Sequence, residues 1–363
     1  MSPLHTFLPN YSVGETCYHS IPWVTRRFGK KAVVIGGKTA MSKAKEALLE
    51  GIAGSDVTIS DFLWFGGNST YEHAQALCGH EAVAGADMIF AVGGGRAIDT
   101  CKVVADRLDK PLFAFPTIAS NCAACTALSV IYRPDGSMLE YFYPPAPPEH
   151  TFINTKIIAE APQRLLWAGI GDALSKEPEV LLSTRGKTLN HSVLLGKQLS
   201  MACTSPLMEY GPQALEDCRN GRASLALEQV ALDIIITTGL VSNLTVTKEE
   251  DYYNSSLAHA FYNGSTVIPG VERHLHGELV SFGVLCLLTY DKQYQERERY
   301  ARFNQSLGLP VCLKDLDLEE KNLPALADRA AQTLEWSCVP YEMQKEAFIQ
   351  AILEADAFGK SLS

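Results

Sequence analysis

The run Met88-Ile89-Phe90-Ala91-Val92-Gly93-Gly94-Gly95-Arg96-Ala97-Ile98-Asp99-Thr100-Cys101-Lys102 leaves few options for its fold. Five apolar residues in a row read as a buried strand, three glycines as a turn too tight for side chains, and the rest as a helix. The first N–H groups of such a helix lack partners within it and point outward, so its backbone and dipole together suit a pyrophosphate. Glycine in this setting also serves simply to reach positive φ, so the motif needs support from its neighbours. Pro111-Leu112-Phe113-Ala114-Phe115 is a second apolar strand, and it ends in Pro116-Thr117-Ile118-Ala119-Ser120-Asn121, small and hydroxylic residues suited to line a ligand. Two consecutive strands ending this way place a nucleotide at the carboxyl edge of a parallel sheet.

The alternation continues through the first 160 residues. Strands are expected at Ala32 to Ile35, Val57 to Ser60, Met88 to Val92, Leu112 to Phe115 and Thr151 to Asn154, with helices at Ser42 to Glu50 and Tyr71 to Val83. This is the grammar of a Rossmann-like parallel sheet covered by helices. Leu128 to Tyr132 and Met138 to Tyr143, joined by Arg133-Pro134-Asp135-Gly136-Ser137, read as a β-hairpin. From Pro162 onward strands disappear, and Leu225 to Val246, Glu278 to Tyr290, Leu323 to Glu335 and Met343 to Phe358 carry helical periodicity. The expectation is an α/β domain over residues 1–160 and an all-α domain over 161–363, with a cleft between them.

Composition removes several functional classes. The net charge of −10 is spread without a Lys/Arg block, which argues against nucleic acid as a partner. No apolar run was expected to approach the ~20 residues that cross a bilayer, and the first fourteen residues lack the pattern of a signal peptide, so a cytoplasmic protein with a small-molecule substrate is expected. The ten cysteines are scattered and read as reduced, mostly buried thiols; Cys122-Ala123-Ala124-Cys125 has no second pair to complete a metal site.

Three residues of the helical half qualify as metal ligands. Asp172, in Gly169-Ile170-Gly171-Asp172-Ala173-Leu174, reads locally as a helix N-cap, the commoner role for Asp after such a turn. His259 sits in the small, apolar setting Leu257-Ala258-His259-Ala260-Phe261, where a satisfied core histidine is the ordinary explanation. His276 opens the helix that runs to Tyr290; a helix N-terminus keeps its ring neutral, the form that binds a metal. One acid and two imidazoles from three elements make an open site with room for a substrate oxygen. His274 nearby is expected to face solvent.

Taken together these residues resemble the metal-dependent, iron-containing alcohol dehydrogenase family in its glycerol dehydrogenase branch. The likeness runs nearly end to end, through Gly93-Gly94-Gly95 with Asp99 and Lys102, Pro116 to Ser120, Ala127 to Val130, Ala168 to Leu174, Ala258-His259-Ala260 with Asn263-Gly264, and His276-Gly277-Glu278. The resemblance implies a dehydroquinate synthase-like, glycerol dehydrogenase-like fold, an NAD or NADP cofactor, a homo-oligomer, and a divalent metal held by Asp172, His259 and His276. It implies nicotinamide cofactor contacts at Gly93, Gly94, Gly95, Thr117, Ser120, Thr126, Leu128 and Tyr132. Lys176 stands where the iron-dependent branch has a further histidine, which favours zinc.

Three departures from the family bear on chemistry. Glycerol dehydrogenases carry a glycerol-contacting aspartate in the stretch where this chain has Cys122, and the run Ile118 to Ala124 is closer to hydroxycarboxylate dehydrogenases. A 2-oxo acid or 2-hydroxy acid is therefore the expected substrate, with glycerol, or a non-catalytic nucleotide-binding protein on the same scaffold, as alternatives. After Ala32-Val33-Val34-Ile35, Gly36-Gly37-Lys38 replaces the aspartate that takes the ribose hydroxyls in NAD-specific relatives; Lys38 either pairs with the 2′-phosphate of NADP or is solvated. Finally, relatives read Lys-Trp-Tyr-Glu after the metal aspartate and have a second histidine before Asn-Gly, whereas this chain has Lys176-Glu177-Pro178-Glu179 and Tyr262. Pro178 within a helix is expected to cost about 3 kcal/mol and bend it.

Overall fold

Strand β4 (Met88–Gly93) is buried along its whole length, as its unbroken apolar sequence requires of a strand covered on both faces. In the computed structural model, which describes residues 7–246 and 252–362, it lies inside a six-stranded parallel sheet. The other members are β1 (Tyr11–Val13), β2 (Lys31–Gly36), β3 (Thr58–Trp64), β5 (Leu112–Pro116) and β8 (His150–Ile153), in the order β1-β8-β5-β4-β2-β3. Between β2 and β4 the winding reverses, so the loops that leave their carboxyl ends diverge to opposite faces. That divergence opens the crevice where doubly wound sheets bind ligands. Strands β6 (Ser129–Tyr132) and β7 (Met138–Phe142) form a separate antiparallel hairpin.

Aromatic rings fill the sheet core. Phe115 stacks on Phe152 with centroids 4.8 Å apart, and Tyr18 meets Phe115 edge-on at 5.2 Å. Strand β1 escaped sequence reasoning because three residues carry no periodicity; it is located by its parallel pairing with β8 and by Ser12 Oγ, 2.9 Å from His150 Nε2. Strand β3 starts one residue later than expected and runs on to Trp64.

The chain forms two compact units whose division is not a single cut near residue 160. The sheet unit runs to Leu166 and resumes over Gln213–Asn243; the second comprises Trp167–Pro212 and Leu244 onward. Side-chain bonds explain the return. Asn243 donates to Cys125 O at 2.9 Å and accepts from Ala127 N at 2.9 Å, while the Cys125 thiol donates to Ile235 O at 2.7 Å. These partners lie more than a hundred residues apart in sequence, so helical periodicity alone assigned 213–243 to the helical half.

The stretch read as one helix over Leu225 to Val246 contains a widened turn. Helix Leu225–Leu232 passes through a π-turn at Asp233–Thr237 into helix Thr238–Thr245, and Thr238 N donates to Asp233 O, five residues back. A π-turn frees carbonyls from the α ladder, and here the Cys125 thiol occupies Ile235 O. The stretch also corrects the expectation about apolar runs: Leu225–Thr245 is 21 residues long with a mean hydropathy of 1.5, enough to span a bilayer by length and composition. Burial marks it as a core helix, with 67% of its most apolar 18-residue window inside the protein.

Candidate functional site

In the sheet unit, the loops expected to bind a nucleotide gather at the carboxyl ends of β2, β4 and β5. Gly93 has φ of 149°, open to glycine, and Gly94 N-caps helix Gly95–Leu108 without a side-chain cap. Gly37 N donates to Val92 O at 3.3 Å and Thr117 N to Gly93 O at 3.2 Å, so the three loops lie side by side. A Cβ on Gly94 would come within 2.7 Å of Ile118, and one on Gly95 within 2.8 Å of Asn121. Ser120 and Cys122 are half-buried on the loop after β5. Gly37 N-caps helix Lys38–Gly51, and the exposed Lys38 ammonium lies 4.6 Å above the Trp64 ring.

Asp99 and Lys102 hold this region from beneath. Lys102 is buried and donates to Asp99 at 3.1 Å, to the Thr126 hydroxyl at 3.2 Å and to Leu128 O at 2.6 Å, while Asp99 accepts from Val130 N at 3.2 Å. The pair thus ties the loop carrying Thr126 and Leu128, and the start of the hairpin, to the glycine helix. Tyr132, at the end of β6, stacks beneath the Arg96 guanidinium at 5.0 Å. Arg96, in the first turn of the glycine helix, is a cation that the sequence reading did not single out.

The second unit holds the metal-ligand candidates. Among the described residues, one group of His, Cys, Asp and Glu side chains could hold an ion: Asp172, His259 and His276, whose donor atoms all lie within 4.8 Å of one another. Asp172 Oδ1 is 3.0 Å from His276 Nε2 and 3.7 Å from His259 Nε2. Tetrahedral zinc with bonds of about 2.0–2.1 Å spaces its ligands about 3.4 Å apart, between these two distances. The chemistry fits a divalent metal as well, since two imidazoles and one carboxylate hold zinc or iron.

Each candidate ligand sits where its helix makes it available. Asp172 is not an N-cap: it is the penultimate residue of helix Gln163–Ala173. His276 opens helix His276–Tyr290, as expected, and Glu278 caps that end by accepting from Leu275 N. His259 lies in the first turn of helix Leu257–Ser265. The three helices dock backbone to backbone. A Cβ on Gly277 would lie 1.8 Å from Ala168 O, and one on Gly283 would lie 2.5 Å from Ala258 O. Gly277→Ala is expected to cost about 3 kcal/mol, since neither helix has a flexible side chain to move aside. A urea midpoint unchanged from wild type would contradict this.

Electrostatics favour an ionised acid at the centre. Burial pushes the Asp172 carboxyl up, but His276, His259 and Lys176 outweigh it and hold it below the usual carboxylate range. Lys176 is buried, donating to Asn254 Oδ1 at 2.7 Å and Asn254 O at 3.3 Å. The Tyr262 ring meets the His276 ring edge-on at 4.1 Å, in the place where relatives have a second histidine.

Two expectations are corrected here. Pro178 does not break a helix, because the chain turns at Leu174 and Ser175 and a new helix, Lys176–Ser183, begins. Pro178 falls in its first turn, where backbone N–H groups have no intrahelical partner to lose. His274 does not face solvent: its side chain is 12% exposed, with Nδ1 3.6 Å from Glu278 and Nε2 3.3 Å from Asp317.

Sequence reasoning missed Glu179. Its carboxylate, fully buried, accepts from His259 Nδ1 at 2.7 Å. The signal was present, since Lys176 and Glu179 are the two letters this chain shares with the Lys-Trp-Tyr-Glu of relatives. Contact with a histidine eighty positions later was not legible.

Comparison with known proteins shows the family. Residues 9–155 match the family model described as iron-containing alcohol dehydrogenase. The chain is 33% identical over 307 residues to a glycerol dehydrogenase of Thermotoga maritima, covering 82% of this chain and 81% of that protein. It is 34% identical over 313 residues to hydroxycarboxylate dehydrogenase A of Escherichia coli, covering 84% and 82%. A crystal structure of a probable glycerol dehydrogenase from Sinorhizobium meliloti superposes with a TM-score of 0.86 at 28% identity, over 99% of this chain and all of that one. With its glycine turn, its Asp99–Lys102 tie and its end-to-end similarity to such enzymes, the chain belongs to the iron-containing alcohol dehydrogenase family and is an oxidoreductase of its glycerol dehydrogenase branch.

Proposed function

We propose that this protein is an NAD(P)-linked, zinc-dependent dehydrogenase that interconverts a small 2-hydroxy acid and its 2-oxo acid. The observation that carries the reading is the convergence of donor atoms from Asp172, His259 and His276 within 4.8 Å of one another. When bound, the ion supplies a Lewis acid that stabilises negative charge on a substrate oxygen, and the nicotinamide gives or takes the hydride. The chain's own residues do the holding. Asp172 provides the negative charge of the ligand set, His259 and His276 the nitrogen donors, and Gly93, Gly94, Gly95, Thr117 and Ser120 the nucleotide cradle. The Lys176 ammonium, bonded to Asn254 rather than placed as a ligand, supports a three-residue zinc set over an iron set with a fourth protein donor.

Cys122 supports the choice of acid over polyol. Where glycerol dehydrogenases have an aspartate, a thiol neither accepts strongly from substrate hydroxyls nor repels a substrate carboxylate. Relatives named as glycerol dehydrogenases keep glycerol as the second reading. The test is turnover by zinc-loaded protein, followed through reduced-nicotinamide absorbance, against a panel of 2-oxo acids and dihydroxyacetone. The expected result is a kcat/KM at least tenfold higher for a 2-oxo acid; the reverse order establishes the polyol reading. Tight nucleotide binding without turnover on any substrate would overturn both. The ten free cysteines suit a reducing, cytoplasmic setting.

NADP is the cofactor that position 37 favours. Gly37 offers no carboxylate to repel a 2′-phosphate, and the exposed Lys38 ammonium at the start of its helix is a counter-charge. Lys38→Glu is expected to lower kcat/KM with NADPH at least about tenfold while leaving NADH within about threefold. Equal losses with both cofactors would remove Lys38 from phosphate recognition.

A further inference from the structure

The structure assigns Glu179 as the residue that selects the tautomer of His259 and so presents its Nε2 lone pair to the ion. This rests on the metal reading above, but its evidence is local geometry. Glu179 Oε2 lies 2.7 Å from His259 Nδ1, while Oε1 accepts from Ser256 N at 2.7 Å and from His259 N at 3.0 Å. A carboxylate offers acceptors only, so the ring nitrogen facing it carries the hydrogen. In the neutral ring that leaves Nε2 as the lone-pair atom, and Nε2 is the one that faces Asp172 at 3.7 Å.

The same carboxylate fixes where the ring sits. Helix Leu257–Ser265 receives no side-chain cap from its own N-cap residue, Ser256. Glu179 caps it from another helix by accepting from two of its first N–H groups. Residues 176, 179 and 183 share one face of their helix and grip the approach to His259 in sequence: Lys176 takes Asn254, Ser183 Oγ donates to Tyr253 O at 2.9 Å, and Glu179 takes Ser256 and His259. Of these three, Glu179 alone touches the imidazole. It is a positioning residue, acting on the ion through His259.

Glu179→Gln separates orientation from charge-free packing, because it preserves size. Two backbone N–H groups outvote one ring nitrogen for the amide oxygen, so the amide NH2 turns to Nδ1 and drives the ring hydrogen onto Nε2. Zinc affinity, by competition with a chromogenic chelator, is expected to fall about 10–100-fold, as for other carboxylates that orient metal-bound histidines. Against its burial, Glu179 and Asp172 raise the pKa of this ring, so long-range 1H–15N spectra of the zinc-free protein are taken at a pH where it is neutral; they should then show His259 protonated at Nδ1 in the wild type and at Nε2 in the variant. Nucleotide affinity should stay within twofold. Ser183→Ala, which loosens the same face without touching the ring, should leave both the spectrum and the zinc affinity unchanged.

A neutral wild-type ring that carries its single hydrogen on Nε2 overturns the inference, and this measurement needs no variant to fold. So does a Gln variant with unaltered tautomer and affinity. A wild-type protein that takes up no zinc yet shows the Nδ1–H ring removes the metal reading and leaves the tautomer assignment standing.

Discussion

Replacing His276 with alanine is expected to lower kcat by about a thousandfold at saturating zinc while leaving nucleotide affinity within about twofold. The ring projects from the first position of its helix and is 39% exposed, so its removal opens no core cavity and costs the fold little. What it removes is one of two nitrogen donors, 3.0 Å from the acid that completes the set. Lewis-acid stabilisation amounts to several kcal/mol, and about 4 kcal/mol of lost stabilisation is a factor of about a thousand in rate. The residues proposed to cradle the nucleotide belong to the other unit and keep their backbone contacts. Absorbance assays give kcat, and quenching of protein fluorescence by NADPH gives the dissociation constant. A variant that keeps more than about a tenth of wild-type turnover would remove the three-donor cluster from the reaction.

The second large effect concerns stability. Asp233 is buried in the π-turn, and burial, only partly offset by a hydrogen bond from the Thr237 side chain, pushes its carboxyl from 3.8 up to about 8. Between those values the folded chain holds a proton that the unfolded chain releases, so stability is greatest below about pH 4 for this group and declines as pH rises towards 8. Asp233→Asn has no proton to lose. At pH 7–8 the variant is expected to be more stable by a few kcal/mol, with the difference shrinking towards zero near pH 4. Urea midpoints across that range read it directly. A pH-independent difference would show that the carboxyl is ionised and solvated in the folded protein.

How much of this was legible in the sequence depended on the range of the interaction involved. Strands β2, β4 and β5 were readable because burial on both faces forces a continuous apolar run, and Gly93 because a turn of that shape tolerates little else. Asp172, His259 and His276 were individually ambiguous; motif likeness assembled them, and the coordinates give the distances. Glu179 was hidden because its role is a contact across eighty residues, and Pro178 was misjudged because the helix restart at Lys176 depends on a turn without a glycine or proline signal. The π-turn left no trace, since an apolar helix with one turn of a wider pitch has the same composition as one without it.

The glycine contacts of helix His276–Tyr290 determine which parts of the candidate metal site are adjustable. With Gly277 against Ala168 and Gly283 against Ala258, main chain meets main chain on both flanks, and no rotamer intervenes to act as a shim. Attempts to broaden the range of substrates by enlarging or shrinking side chains at these seams would therefore shift whole helices and the ligands with them. Tyr262, whose ring borders His276 without belonging to either seam, is the position at which the surroundings of that imidazole can be altered while the helices stay in place.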